Sequence, residues 1–433
     1  MEVLKQFTEV SRSTGVVISV VVLLMTFYFL FPFQSKRKGK TAPIPSGHLP
    51  FIGHLLKLDQ HVFLDFFTQS WVEHGGPFEL SVLGKRMLVI TEWDSIKDVL
   101  SRRPKEFTRG VAMENWGGDM RVSDGLFNIE GAKEWGRIRR LTSPSFAPHQ
   151  VDDMASVITN ECEALLHRLD ALLLRQNDNE KEGHNPSPIN SLDVCMQFTL
   201  NVIVNLAFGS AVSDTNYLRS PDFLLDMKSF VEWIYRRLTI PLPPVVWRIY
   251  NDSLEQRAMH TSRMLEKSAA DIRSAYDKKT TTTTTTTTVS NQDNQIKSMF
   301  LTTLVPPDLA GNPTNGRNHL SDSEISAQIK TFLIAGTETT AVTIASALQY
   351  LCDPKHSVFA EALYEETKRV FGGARAPSSL EQLRDLHLVS AFQKEALRLR
   401  GPAPLIFAEV AKSQGSSEIK GGFVVNSSVS MCI

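Results

Sequence analysis

An acid and an alcohol stand side by side in the run Ala335-Gly336-Thr337-Glu338-Thr339-Thr340, in the middle of an otherwise apolar helical stretch. Glu338 can take up or release a proton and Thr339 can pass one on, so the pair forms a natural proton relay. Thr339 can also donate to the carbonyl of Ala335 one turn back, which loosens a helix locally and leaves room for an ordered water. Gly336 has no side chain and lets a large flat ligand approach the main chain. The plainer alternative is that Glu338 points to solvent and the threonines only pack. Two other pairs have spacings with chemical meaning. Trp135 and Arg139 lie at i and i+4 on one helix face, where an indole N–H and a guanidinium suit a pair of carboxylates. Glu395 and Arg398 lie at i and i+3, within ion-pair reach, just before Gly401-Pro402-Ala403-Pro404.

The elements that must position these groups are mostly helical. Ser321-Asp322-Ser323-Glu324 reads as a capping box. Helix-compatible residues follow without proline to Leu351, and Asp353-Pro354 stops the run. Such a helix is about 45 Å long, enough to cross a domain. Threonines and a glycine at its centre cost about 0.5 to 1 kcal/mol each relative to alanine. A local conflict of that kind marks a functional segment. Further amphipathic stretches run over Ile96–Arg102, Ala132–Leu141, Gln150–Arg175, Asp193–Ala207, Leu224–Leu238, Leu254–Tyr276, Val358–Phe371 and Leu380–Arg400. Phe78–Leu83 and Arg86–Ile90, with Gly84-Lys85 between them, read as a hairpin, and a strand-like patch surrounds Phe423-Val424-Val425. Asn177–Pro188 and a threonine-rich stretch over about 278–296 are polar, the latter expected as a disordered loop. The expectation is a mainly α fold: one large helical domain over 55–433 with a small β-sheet region.

The 433 residues carry a formal net charge of -1, which argues against a protein that lives on nucleic-acid phosphates. Four cysteines without C-x-x-C spacing exclude a readable disulfide framework, zinc cage or iron–sulfur site. The apolar run Val16–Phe33 predicts one transmembrane helix over about 14–33, within an anchor of residues 1–35. Lys36, Arg37, Lys38 and Lys40 follow it and place the rest of the chain in the cytoplasm. A basic and proline-rich hinge over 36–54, with Pro43, Pro45 and Pro50, reads as a stiff extended linker.

Taken in order, the anchor and proline hinge, W-x-x-x-R at Trp135 and Arg139, A-G-x-E-T-T from Ala335, E-x-x-R at Glu395 and Arg398 and the terminal strands resemble the haem-thiolate monooxygenases of the cytochrome P-450 family over nearly the whole chain. The resemblance implies haem as cofactor, with Trp135 and Arg139 holding a propionate and Ala335 and Gly336 against the haem face. It implies that Glu338 and Thr339 deliver protons during oxygen activation and that Glu395 and Arg398 stabilise the fold beneath the haem. It implies a single-pass membrane protein of the endoplasmic reticulum, dioxygen as co-substrate, and electrons from NADPH through a membrane-bound reductase. Lys133 and Arg137 are candidates for reductase docking, or simply a solvated face. A lipophilic substrate, a fatty acid or other lipid, follows from the anchor and from the apolar stretch Phe223–Pro244, read as an entrance lid.

The chain also departs from the family pattern. The glycine-rich loop F-x-x-G-x-R-x-C-x-G, whose cysteine ligates the haem iron, is not found, and Cys162, Cys195, Cys352 and Cys432 do not fit it. The family arginine expected near Leu405–Val410 is replaced by Ala408 or Glu409. The expectation is a chain that stops before the ligand loop. Two functions follow: a haem-dependent monooxygenase represented by a truncated sequence, or an inactive membrane-bound remnant that binds or regulates. Without the thiolate, the electron push that favours O–O cleavage is lost.

Overall fold

The structure is a computed structural model. It describes residues 40–50, 52–58, 63–103, 105–108, 124–129, 132–181, 189–208, 215–239, 252–283, 320–374, 377, 379, 381–403, 405–411, 414–426 and 429–432. The expected transmembrane helix at 14–33, the anchor 1–35, residues 36–39 of the hinge and 284–296 of the threonine-rich stretch lie outside them. The described chain is mostly helical with small β-sheets, as the fold expectation had it. It forms two compact units. One takes the described residues of Met1–Ala112, Thr239–Pro241 and Leu405–Ile433, the other those of Met113–Leu238 and Leu242–Pro404.

The sheet-bearing unit contains α1 (Phe63–His74), β1 (Phe78–Val82), β2 (Lys85–Val89), α2 (Trp93–Ser101) and β3 (Phe107–Thr108), followed late in the chain by β4 (Phe407–Val410), β5 (Ser416–Ile419), β6 (Phe423–Asn426) and β7 (Val429–Cys432). The larger sheet has the order β1-β2-β7-β4-β3, with β7 parallel to β2 and antiparallel to β4. One face packs Phe78, Leu80 and Val89 on Phe66 and Phe67, and Leu88 and Ile90 join Val99, Phe107, Ala408 and Val410 in a second cluster. Val82 pairs with Lys85, so the hairpin turn is Leu83-Gly84 rather than Gly84-Lys85. Both turn residues have positive φ, 49° and 79°, as the tight turn that matches strand twist requires. Leucine has no intrinsic preference for that region, which is why the sequence alone shifts the turn by one residue.

The hinge is not simply extended. Leu49 and Gly53 exchange backbone hydrogen bonds of 2.9 Å, folding the chain back on itself. The His54 ring is buried, its Nδ1 accepting from the Ser81 N–H at 3.2 Å and its Nε2 facing the Pro45 carbonyl at 3.1 Å.

The helical unit contains α3 (Ala132–Thr142), α4 (Pro148–Lys181), α5 (Ser191–Phe208), α6 (Thr215–Leu218), α7 (Pro221–Thr239), α8 (Ser253–Thr283), α9 (Asp322–Cys352), α10 (Ser357–Val370) and α11 (His387–Leu399). α4 continues through Asn177–Lys181 and α8 through Thr280–Thr283, both beyond the sequence expectation. Helix elongation adds one bond per residue fixed, so a long helix carries weak formers at its end. α11 starts at His387 and not near Leu380, because the Glu366 carboxylate on α10 accepts the Leu388 and Val389 N–H groups at 2.9 and 3.0 Å. That cap comes from another element and has no local sequence signal.

α5 and α9 form the centre of this unit. Each is long and apolar enough to cross a membrane by length and composition, but here they pack on one another. Leu200 and Val204 on α5 meet Ile325, Ile329, Leu333 and Ala341 on α9 in a buried cluster that also takes in Ile138, Phe223, Met227 and Leu265. Phe230, Trp233 and Ile234 of α7 are buried against Ala258 of α8. The described part of the expected entrance lid is therefore packed core. Its apolar residues are what a helix buried on one side requires.

Candidate functional site

The site is built on α9. Its start is fixed by the predicted capping box: the Glu324 N–H donates to Ser321 Oγ at 3.3 Å, and the Ser321 N–H donates to Glu324 Oε2 at 2.7 Å. The next turns are wrapped on every side, with Ile325 through Thr331 all buried. Lys330 is fully buried there, its Nζ donating to Ser262 Oγ and Glu266 Oε1 at 2.8 Å each. Beyond Leu333 the helix opens on one side. Ala335 is exposed and Thr339 half-exposed; Thr343 and Ala347 continue the same stripe at four-residue spacing. This stripe runs into an apolar cavity of about 480 Å³ lined by Thr343, Ala347 and Leu351 together with Leu363 of α10 and Phe392 of α11.

Thr339 donates its hydroxyl to the Ala335 carbonyl, the back-bond read from the sequence, and Thr343 repeats the pattern onto Thr339 O at 2.9 Å. Glu338 is half-buried beside them. Burial pushes its carboxyl above the ordinary carboxylate value, and among the described residues no ion pair or hydrogen bond offsets that. A carboxyl so placed holds its proton to higher pH than a free one, which suits a group that takes up and gives back protons.

Gly336 has another use than the one its sequence position suggests. It faces Ile203 on α5, where a Cβ would lie 3.1 Å from Ile203 Cδ1. The close approach it permits is between two helices, and the exposed Ala335 is the residue on the open side. A glycine in sequence cannot tell which of these approaches it serves.

Trp135 and Arg139 sit on α3, with Trp135 39% exposed and Arg139 also exposed. Among the described residues neither the indole N–H nor the guanidinium has a hydrogen-bond or ion-pair partner, so both donors are open to a ligand carboxylate. α3 is held by its buried Ile138 and by Arg137, which pairs with Glu134 and with Glu324 at the start of α9. Arg137 is only 18% exposed, so the reading of Arg137 as a reductase-docking cation is replaced by a tie between α3 and α9. Sequence reasoning missed this tie because the partners are 187 residues apart.

Glu395 and Arg398 form the expected pair, bidentate at 2.8 and 2.6 Å. The Arg398 guanidinium lowers the Glu395 carboxyl below its ordinary value. Both side chains are more than half exposed, so among the described residues the pair stabilises its own helix and reaches no other element. No hydrogen bond or ion pair joins the three constellations to one another among those residues.

These groups fit part of a haem. The open Trp135 and Arg139 donors match a propionate, and the small side chains of the α9 stripe leave space for a flat ring. The cysteines do not complete the fit. Cys195 is buried in α5 within the packed core cluster and Cys162 is half-buried in α4, so neither lies on the open stripe of α9. Cys352 is exposed at the end of α9. Cys432 is in β7, between Val89 and Phe407.

A family model described as Cytochrome P450 matches residues 43–426. The chain belongs to the cytochrome P450 family. It is similar to Cytochrome P450 3A28 of Bos taurus, 24% identical over 405 residues, which cover 92% of this chain and 72% of the bovine one. It is also similar to Cytochrome P450 4d2 of Drosophila melanogaster, 24% identical over 420 residues, 91% of this chain and 77% of the other. A self-sufficient cytochrome P450 monooxygenase of Phanerodontia chrysosporium is 24% identical over 370 residues, covering 84% of this chain and 31% of the other. Haem is the cofactor of cytochrome P450 proteins, and by this resemblance the chain is a haem monooxygenase whose electrons come from a redox partner.

Proposed function

We propose that this cytochrome P450 is a membrane-anchored monooxygenase that places one atom of dioxygen into a lipophilic substrate, such as a fatty acid or another lipid, with Glu338 and Thr339 moving the protons. The observation that carries the reading is the half-buried Glu338 carboxyl beside Thr339, without a hydrogen-bond or ion-pair partner among the described residues, at the edge of an open stripe of small side chains. Haem, when bound, supplies the oxidising chemistry. This chain's own residues bind and orient it through Trp135 and Arg139, leave room for it along Ala335, and hold or release protons at Glu338 Oε and Thr339 Oγ1. The lipophilic substrate and the location at the endoplasmic reticulum, with the body in the cytoplasm and electrons from a membrane-bound NADPH reductase, rest on the apolar run Val16–Phe33 and the basic residues after it.

In the haem-loaded protein with a reductase and a fatty-acid substrate, Glu338→Gln and Thr339→Ala should each lower product formed per dioxygen consumed by about tenfold or more while dioxygen uptake continues. Coupling equal to wild type in both variants removes the relay. A second reading is a binding module without oxidation chemistry, and it draws on the placement of the four cysteines. It predicts that the reduced protein lacks the thiolate-type absorption shift with carbon monoxide.

A further inference from the structure

In the seam between α5 and α9 the bare Cα of Gly336 faces Ile203, and a Cβ there would lie 3.1 Å from Ile203 Cδ1. Side chains normally sheathe the main chain of a buried helix and keep neighbouring helices from reaching its carbonyls. Here the missing Cβ lets α5 come close enough for a side chain to do so. Thr199, one turn before Ile203, donates its hydroxyl to the Thr337 carbonyl at 2.8 Å. A hydroxyl has one hydrogen, and two carbonyls of its own helix compete for it: Cys195 at 3.0 Å and Met196 at 3.2 Å. Those are what a threonine within a helix ordinarily uses, and the contact to the other helix is the shortest of the three. Thr199 and Thr337 are 3% and 2% exposed, so bulk water does not compete at this point.

The carbonyl concerned belongs to the peptide group that joins Thr337 to Glu338. Holding that plane fixes the direction in which the Glu338 side chain leaves the helix, in a segment where Thr339 and Thr343 both back-bond and weaken the ladder. We propose that Thr199 is a positioning residue: across the Gly336–Ile203 gap it clamps the peptide plane that carries Glu338 and so holds that carboxyl at its post beside Thr339. This rests on the reading of Glu338 as the proton-transferring group.

The test uses the full, haem-loaded chain with Thr199→Val, which keeps the shape and removes the hydroxyl, and Thr199→Ser, which restores it. The protonation of Glu338 is followed by infrared difference spectra across pH, with Glu338→Gln identifying its band. Product per dioxygen is measured in parallel. Thr199→Val should admit water to the loosened turn, move the Glu338 titration midpoint toward the ordinary carboxylate value by about half a pH unit, and lower coupling roughly threefold. Thr199→Ser should return both to wild type. An unchanged Glu338 midpoint in a folded Thr199→Val protein overturns the clamp.

If Thr199→Val does not fold, Gly336→Ala probes the same gap. It should shift the midpoint in the same direction, and adding Ile203→Ala, which removes the colliding atoms, should reverse the shift; no shift in Gly336→Ala overturns the proposal. Should Glu338→Gln retain full coupling, the relay fails, and the infrared midpoint still decides whether Thr199 holds the carboxyl.

Discussion

The two halves of α9 are built from similar residues and live in opposite surroundings. From Ile325 to Thr331 the helix is buried on all sides, whereas from Ala335 onward one stripe stays open down to the cavity lined by Leu351. The first half therefore holds the helix in place, and the second half is free to carry groups that a tightly packed core rejects. Glu338 shows the difference. A lone carboxyl would be costly among Ile325–Thr331, where even Lys330 is matched by Ser262 and Glu266. Beside an open stripe it is tolerated in a partly desolvated state.

Truncation separates the halves most strongly. Ile329→Ala, at a fully buried position, should cost about 3 kcal/mol of stability, and Leu348→Ala, at a position 40% exposed, less than about 1 kcal/mol. Urea unfolding of the two variants measures the contrast, and equal losses would erase it.

The ties at the two ends of the unit come next. Arg137→Met leaves Glu324 partly buried without its long-range partner and should cost about 2 kcal/mol. Arg398→Gln removes a better-aligned pair, yet both its partners are open to water, so the unfolding midpoint should not move measurably. If Arg398→Gln proves the more damaging change, geometry outweighs burial here.

The smallest effect is a pH dependence. The Glu338 carboxyl has a folded pKa above its unfolded one, so the folded state binds more protons between the two values. Folding suffers no penalty from it below the unfolded pKa, and wild type should lose stability relative to Glu338→Gln as pH rises through the raised folded pKa. Thermal midpoints of both proteins across that interval give the sign, and parallel curves would mean that Glu338 is solvated.

Much of this was legible in the residues. The capping box at Ser321 and Glu324, the Thr339 back-bond and the Glu395–Arg398 pair are local, since each joins positions within four residues of each other. What was not legible is non-local. The register of β7 between β2 and β4, the cap that Glu366 places on α11 and the partner of Arg137 depend on chain segments far apart in sequence. α1 gave no clear signal because Trp71 and Val72 are exposed while Phe66 and Phe67 are buried, so no single apolar stripe stands out. Gly336 was read as a place of close approach to a flat ligand, and among the described residues the group that comes close to it is Ile203 on α5, far away in sequence.

Glu324 uses its two carboxylate oxygens for two partners of very different origin. One caps α9 through a residue three positions away, and the other meets Arg137 on α3. The cap can form as soon as the first turn of α9 does, whereas the Arg137 contact waits until distant parts of the chain have come together. Losing the arginine should therefore leave the early steps of folding at their normal speed and show itself as faster unfolding, so that a local nucleus and a late latch share one side chain.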